Sequence, residues 1–261
     1  MGYISYLFTN AKVSFKYMLV YRGSVLIWLF SQILLQIGGY LSIGAYYSFG
    51  NHVAEVSQDW FLSYFACFQF VIVLYNILVE PSHDELPDQI FDGELDFILL
   101  KPMNALFLAS TQRFGFDSIF ALILPIAILK THLPVSFSEM SVSTAVFVFL
   151  ALLNALLVYS LFMSVAVLIC FWSSQNVALW RTAELLLETG ARPSKAYPKA
   201  FSFLFGNFVP IILVMNFPIS IIGHQATFMT FFKGMILTLT LLLLNVILWK
   251  KGVKLYASAG G

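Results

Sequence analysis

The sequence predicts an all-α, polytopic membrane protein with six transmembrane helices and cytoplasmic N and C termini. Composition comes first: 60% of the 261 residues are hydrophobic and only 10% are charged, with a mean hydropathy of +0.86, against about 45–50% apolar residues in soluble domains. The apolar residues gather in six runs near the roughly 20 residues that a helix needs to cross a bilayer core. The basic residues gather on alternate sides of those runs.

The runs lie at about 23–47, 60–79, 114–130, 142–172, 201–222 and 228–249. Run one follows Lys12, Lys16 and Arg22 but is about twice as long as a signal-peptide core, so it reads as a retained helix. Lys101 and Arg113 fall between runs two and three, and Arg181, Arg192, Lys195 and Lys199 between four and five. Lys250, Lys251 and Lys254 follow run six, while only Lys130 and Lys233 fall on the other side. Twelve of the 14 basic residues thus share one side, which predicts both termini in the cytoplasm. Trp28, Trp60, Trp172, Trp180 and Trp249 lie mostly near run ends, where interfacial aromatics belong.

The net charge of +1 gives no overall attraction to nucleic acid. Cys67 and Cys170 each sit inside an apolar run without metal-ligand spacing and read as packing residues. There is no internal repeat, no low-complexity tract and no soluble domain, and 1–261 reads as a single transmembrane domain. The longest connections, about 80–113 and 173–200, both fall on the cytoplasmic side.

The first of these holds seven of the chain's 13 acidic residues: Glu80, Asp84, Glu85, Asp88, Asp92, Glu94 and Asp96. Leu86, Ile90 and Phe91 fall at helical spacing among Asp84, Glu85, Asp88 and Asp92, which predicts a short amphipathic helix that Gly93 stops or bends. Leu95 and Phe97 to Leu100 fit an interfacial stretch, and Pro102 marks a further break. Such a segment reads either as a connector or as a docking surface. Anionic lipid repels bare acids, which favours a protein partner. A second amphipathic segment runs from Asn176 to about Glu188, ended by Gly190 and Pro193. It fits equally a helix stiffening the bundle at the membrane surface and a partner contact.

Chemistry is sparse. The sequence contains no GxxxxGK[ST] phosphate loop, HExxH or GxSxG pattern. His83 and Asp88 have the spacing of a glycerolipid acyltransferase box, which leaves an intramembrane lipid-modifying enzyme as an alternative. His52, His132 and His224 are isolated and do not read as ligands. Inside the runs, Asp117 lies four residues after Arg113 and reads as an i,i+4 pair anchoring a helix end. Gln32, Gln36, Asn154 and Asn245 are candidates for lining a translocation path, or for hydrogen bonds between helices worth about 0.6 kcal/mol each. No ladder of buried charges suggests an ion-coupled pump, so energy should come from outside the chain. A channel or secondary transporter remains a further alternative. The 27 Phe suit a lipidic cargo and equally a lipid-facing surface.

One set of landmarks goes beyond composition: Tyr21-Arg22 before run one, Gly93-Glu94-Leu95-Asp96 followed by Leu99-Leu100-Lys101-Pro102, Arg192-Pro193 with Tyr197-Pro198, Pro210 and Pro218, and Trp249, Gly252, Tyr256 and Ser258-Ala259-Gly260 at the end. Together they resemble the bacterial ABC-2-type permeases, over nearly the whole chain, in a branch whose members are largely uncharacterised transport-system permeases. The residues before the glycine, Phe91-Asp92, depart from a pattern that often carries a basic residue there.

That resemblance implies a multi-pass permease of the bacterial plasma (inner) membrane that exports its substrate and pairs with a second permease, identical or related. Two cytoplasmic ATPases would bind ATP and magnesium, while this chain binds no cofactor or metal itself and carries no catalytic residue. It also implies a coupling segment at about 80–106, with a helix over Asp84–Asp92 seated in an ATPase cleft. The coupling residues are then Asp84, Glu85, Leu86, Asp88, Ile90, Phe91, Gly93, Glu94 and Asp96. Pro210, Pro218 and Gly223 are compatible with a fifth span broken by re-entrant helices.

Overall fold

The computed structural model describes residues 2–50, 56–135, 140–173, 177–201, 203 and 211–256. The described residues form helices joined by short connections, the main ones in the order α1 (Tyr3–Val20), α2 (Arg22–Ser48), α3 (Gln58–Leu78), α4 (Glu80–Phe91), α5 (Asp96–Leu99), α6 (Ala105–Ser110), a 3-10 helix (Phe116–Leu122) running into α7 (Ile123–His132), α8 (Val142–Leu168), α9 (Val177–Glu188), α10 (Ile211–Ile222) and α11 (Phe228–Leu255). Four of these, α2, α3, α8 with its 3-10 extension to Phe171, and α11, are long and apolar enough to cross a membrane.

Local signals set the helix starts. Ser57, Asn104, Ser141 and Thr227 each accept a backbone N–H from their own first turn, at the N-termini of α3, α6, α8 and α11. Run three is realised differently from a plain span. Pro125 has no N–H to offer the carbonyl of Ala121, and the turns before α7 wind as 3-10 helix. Of run five only Phe201, Phe203 and α10 are described, so Asn207 and Pro210 lie outside the described residues, as do Asn176 and Ser258-Ala259-Gly260.

Helix α3 is the axis of the bundle. Leu62, Ala66, Phe68, Val71, Val73 and Tyr75 are all buried, on more than one face of the helix. The main core joins Phe68, Val71 and Tyr75 of α3 to Ala155, Tyr159 and Met163 of α8, Leu187 of α9, Met215 of α10 and Leu241 of α11. Ala151 and Ala155, at small-xxx-small spacing, are buried within this chain and not offered to another. Helix α2, by contrast, packs on α3 and the Phe116–His132 segment with one edge and exposes the rest, including Leu26, Ile27, Phe30, Leu34 and Leu35. In a bilayer that face meets lipid or another membrane chain.

Helix α1 is not marked in the sequence by any apolar run. Its Tyr3, Tyr6, Asn10, Ser14 and Tyr17, spaced by three or four residues, share one face, and that face lies along residues 104–114. The Tyr3 hydroxyl accepts the Asn104 N–H, Tyr6 donates to the Leu108 carbonyl at 3.4 Å, Asn10 Nδ2 donates to the Thr111 carbonyl at 3.0 Å, and Ser14 accepts the Phe114 N–H at 3.0 Å. The opposite side carries Lys12 and Lys16 among exposed Phe8, Phe15 and Leu19.

Candidate functional site

The acidic segment forms a helix-turn-helix cap at one end of the bundle. Helix α4 starts at Glu80, four residues before the predicted Asp84, because Pro81 is tolerated in a first turn where its missing N–H has no partner to lose. It passes Pro87 and ends at Phe91, and Gly93 just beyond the C-cap has a φ of 78°, which is left-handed and suits glycine. The Leu95 N–H then returns to the Gln89 carbonyl at 3.0 Å, turning the chain tightly into α5, which packs on α6. Gln89 and Gln112 exchange side-chain hydrogen bonds at 2.9 Å, tying the cap to the segment that α1 also holds.

The apolar stripe of α4 faces inward. Leu86 (3% exposed) and Ile90 (9%) pack with Leu95, Ile98, Leu108, Leu168 and Trp249 in a second core. As partner-contacting residues, Leu86 and Ile90 are therefore corrected: a side chain buried in its own bundle cannot enter another protein's cleft. The outward face carries Asp84, Asp88, Asp92 and Glu94 with Phe91 (49% exposed), Phe97 (70%) and Leu100 (82%). Glu85, Gly93 and Asp96 are partly exposed, and Glu85 meets Arg113 at 3.6 Å. The arrangement is one of acidic residues around three apolar studs, held from behind by a packed layer.

Behind the N-terminal half of α4 lies a buried polar cluster. His83 accepts or donates a 3.0 Å hydrogen bond with the Tyr75 hydroxyl and sets its ring edge-on to Trp180. Burial pushes its pKa down to about 3, so it is neutral. No hydrogen bond joins His83 to Asp88 among the described residues, and the two differ in burial, one interior and one exposed. A base-and-carboxylate dyad needs contact, so the acyltransferase reading does not fit.

Glu80 lies near Asp84, Glu184 and Asp117; burial first, then those charges, push its pKa up to about 8, and desolvation with the neighbouring Glu184 and Asp88 raises that of Asp84 too. Glu184 itself accepts from the Trp180 indole at 3.2 Å and pairs with Arg181 at 2.8 Å. A raised carboxyl pKa means that the folded state holds the proton more tightly, so its contribution is fully present below the ordinary value of 4.5 and is lost as pH rises through about 8. The melting temperature in detergent is expected to fall between about pH 5 and pH 9 in the wild type and less steeply in Glu80→Gln. Parallel slopes would rule out Glu80 as the titrating group.

The four amides suggested for a translocation path do not share a cavity. Asn154 donates to Thr238 at 2.7 Å, and Asn245 donates to the carbonyls of Leu161 and Leu241 at 2.9 and 2.8 Å, so both hold α8 against α11. Gln32 and Gln36 lie on α2, which packs elsewhere, on α3 and the Phe116–His132 segment. Gln36 is buried with neither amide atom hydrogen-bonded. Both side-chain donors of Asn245 and one of Asn154 are thus engaged within the chain. The pair expected between Arg113 and Asp117 is replaced. The Arg113–Gly115 stretch is not helical, and Arg113 reaches Glu85 instead.

Helix α9 is more than a surface element. Ala183 and Leu187 enter the main core, and Gly190 just beyond is buried against Met215. Sequence reading also missed a tie at the far end, where His132 meets Asp59 at 2.8 Å, its carbonyl accepts from Ser63 at 3.2 Å, and its second ring nitrogen lies 3.3 Å from Tyr40. Asp59 in a first helical turn was the available signal. Among the described residues no group of His, Cys, Asp and Glu is arranged to hold a metal.

Comparison with curated proteins and with solved structures gives no significant match. A family described as ABC-2 family transporter protein matches residues 33–260, a range that holds all four long apolar helices except the first turns of α2, together with the whole α4–α5 cap. On that match and this helical membrane architecture, the chain belongs to the ABC-2 transporter family and is a membrane subunit of an ABC transporter.

Proposed function

We propose that the chain is the permease of an exporter in a bacterial inner membrane, driven by two cytoplasmic ABC ATPases and paired with a second permease, identical or related. In this reading it crosses the membrane six times with both termini inside, ATP and magnesium reside on the partner ATPases, and the α4–α5 cap transmits their motion.

The observation that carries the proposal is the outward face of the cap. Phe91, Phe97 and Leu100 stand exposed among Asp88, Asp92 and Glu94. Anionic lipid repels that charge, whereas a partner cleft with basic rims and an apolar floor accepts both components. Leu86, Ile90, Leu95 and Ile98 fix the same helices to α8 and α11, so force applied to the studs reaches two membrane helices directly. One cap per chain implies two chains for two ATPases.

Phe97→Asp with Leu100→Asp is expected to preserve the folded permease in the membrane while cutting ATPase co-purification at least tenfold, since two apolar hot-spot contacts carry about 2 kcal/mol each or more. Native mass spectrometry of the wild-type complex should show two permeases and two ATPases. A double variant that keeps its ATPase and its transport would remove the cap from the interface. A complex without any ATPase would favour a channel.

A further inference from the structure

The polar groups left out of the coupling cap meet at a second place. A cavity of about 270 Å³ opens where α1, the start of α2, Pro81 of α4 and the Arg113–Asp117 loop converge, close to the roughly 300 Å³ at which small-molecule pockets begin. Its walls are aromatic, with Tyr17, Tyr21, Trp28, Phe114 and Phe116, and it carries one cationic and one anionic side chain, Arg113 and Asp117.

Both charged residues are presented from a fixed backbone. Ser82 Oγ accepts the Arg113 N–H at 3.0 Å and donates to the Arg113 carbonyl at 3.1 Å, while Ser14 Oγ accepts the Phe114 N–H and the Gly115 N–H reaches the Ile77 carbonyl at 2.8 Å. Gly115 is needed there, because a Cβ would collide with the Asn76 carbonyl. The Arg113 guanidinium lies over the Tyr17 ring, 4.6 Å from its centre. Its 3.6 Å contact with Glu85 is long and partly exposed, the kind of ion pair that contributes little. Among the described residues Asp117 has no ion pair, and the Trp28 indole is set by a 3.3 Å hydrogen bond to Ser118.

The surroundings identify the occupant. The cavity sits at Tyr21, where α1, with Lys12 and Lys16 beside exposed Phe8, Phe15 and Leu19, gives way to the apolar α2. An amphipathic helix joined to a span places that junction at headgroup depth. An anionic headgroup would meet Asp117 unfavourably, and an inorganic anion would leave the aromatic walls unused. A headgroup with a phosphate and an ammonium uses every wall: the phosphate suits a guanidinium fork, and the ammonium suits a carboxylate with aromatic faces.

We propose that this cavity binds the headgroup of a zwitterionic glycerophospholipid, with its phosphate on Arg113, its ammonium at Asp117 among Tyr21 and Trp28, and its acyl chains along the exposed face of α2. The bound lipid fastens α1 to the bundle. The site is independent of the proposed ATPase coupling.

Native mass spectrometry of the purified full chain, titrated with palmitoyl-oleoyl phosphatidylethanolamine, the matching phosphatidylglycerol, and chain-free glycerophosphoethanolamine, tests the assignment. Phosphatidylethanolamine should be retained best. Arg113→Gln should lower its retention about tenfold, the loss of one charge-assisted contact. Asp117→Asn should erase the preference over phosphatidylglycerol, and Ser24→Phe, which fills the cavity without touching either charge, should displace both lipids. Equal retention of the two lipids by the wild type would overturn the zwitterionic assignment. Unchanged retention in Ser24→Phe would overturn the site even if Arg113→Gln does not fold, and retention of the chain-free headgroup as strong as that of the lipid would show a soluble phosphoester site instead.

Discussion

Leu86→Asp combined with Ile90→Asp is expected to leave almost no folded permease in membranes, a larger effect than any change on the outer face of the same helix. Both side chains are nearly inaccessible and share a core with Leu95, Ile98, Leu108, Leu168 and Trp249. Truncating one such residue to Ala costs about 2–5 kcal/mol, and placing a carboxylate there adds desolvation that no basic partner in this cluster offsets. Two such changes approach the whole stability of a typical domain, roughly 5–15 kcal/mol. The separate cap variant, Phe97→Asp with Leu100→Asp, alters side chains that are already exposed, at 70% and 82%, and should keep its fold. Gel filtration of fluorescent-protein fusions in mild detergent separates the cases: the core variant should lose its monodisperse peak and the surface variant keep it. A core variant with a normal peak that had lost only its ATPase would return Leu86 and Ile90 to the docking surface.

That contrast shows where sequence reading stops. The spacing of Leu86, Ile90 and Phe91 predicts an amphipathic helix, and one forms; periodicity says that a face is covered but not by what. Here the cover is the chain's own α5, α6 and the ends of α8 and α11, brought together by contacts far apart in sequence. The long apolar runs were legible because lipid demands about 20 apolar residues whatever the tertiary packing, and α2, α3, α8 and α11 follow them closely. Gly93 was legible as a stop because a left-handed residue favours glycine. Helix α1 was not, since its anchors Tyr3, Tyr6, Asn10, Ser14 and Tyr17 mix aromatic and polar residues and raise no apolar stripe. For Asn154 and Asn245 the residue type signals only that a hydrogen bond is wanted. Whether it goes to a neighbouring helix or a cargo is decided by which backbone carbonyls lie opposite, and here those of Leu161 and Leu241 take both donors of Asn245.

The second large effect is expected at Gly190, where the segment after α9 crosses α10. A Cβ at this position would stand 2.7 Å from both Cβ and Cγ of Met215 and 3.4 Å from the Phe68 ring. Met215 Cβ is fixed to the backbone of a buried helix, so a rotamer change cannot relieve the overlap and the two segments must separate. Separation also strains the Asn216 amide, which donates to the carbonyls of Gly190, Arg192 and Ile212 at 3.4, 3.1 and 2.7 Å. Gly190→Val should therefore combine overpacking, about 1–3 kcal/mol, with loss of buried hydrogen bonds, about 1–3 kcal/mol for each group left unsatisfied. Helix α9 carries Trp180 and Glu184 against His83 and the acidic end of α4, so loosening it also unseats the α4–α5 cap from behind. Gly38→Val on α2, where nothing lies within 4 Å, is the control and should melt near the wild-type temperature. Melting of the detergent-solubilised protein should place Gly190→Val well below both, with Gly190→Ala between. If Gly190→Val melted with Gly38→Val, the close approach of the post-α9 segment to α10 would not be the contact that holds this side of the bundle together.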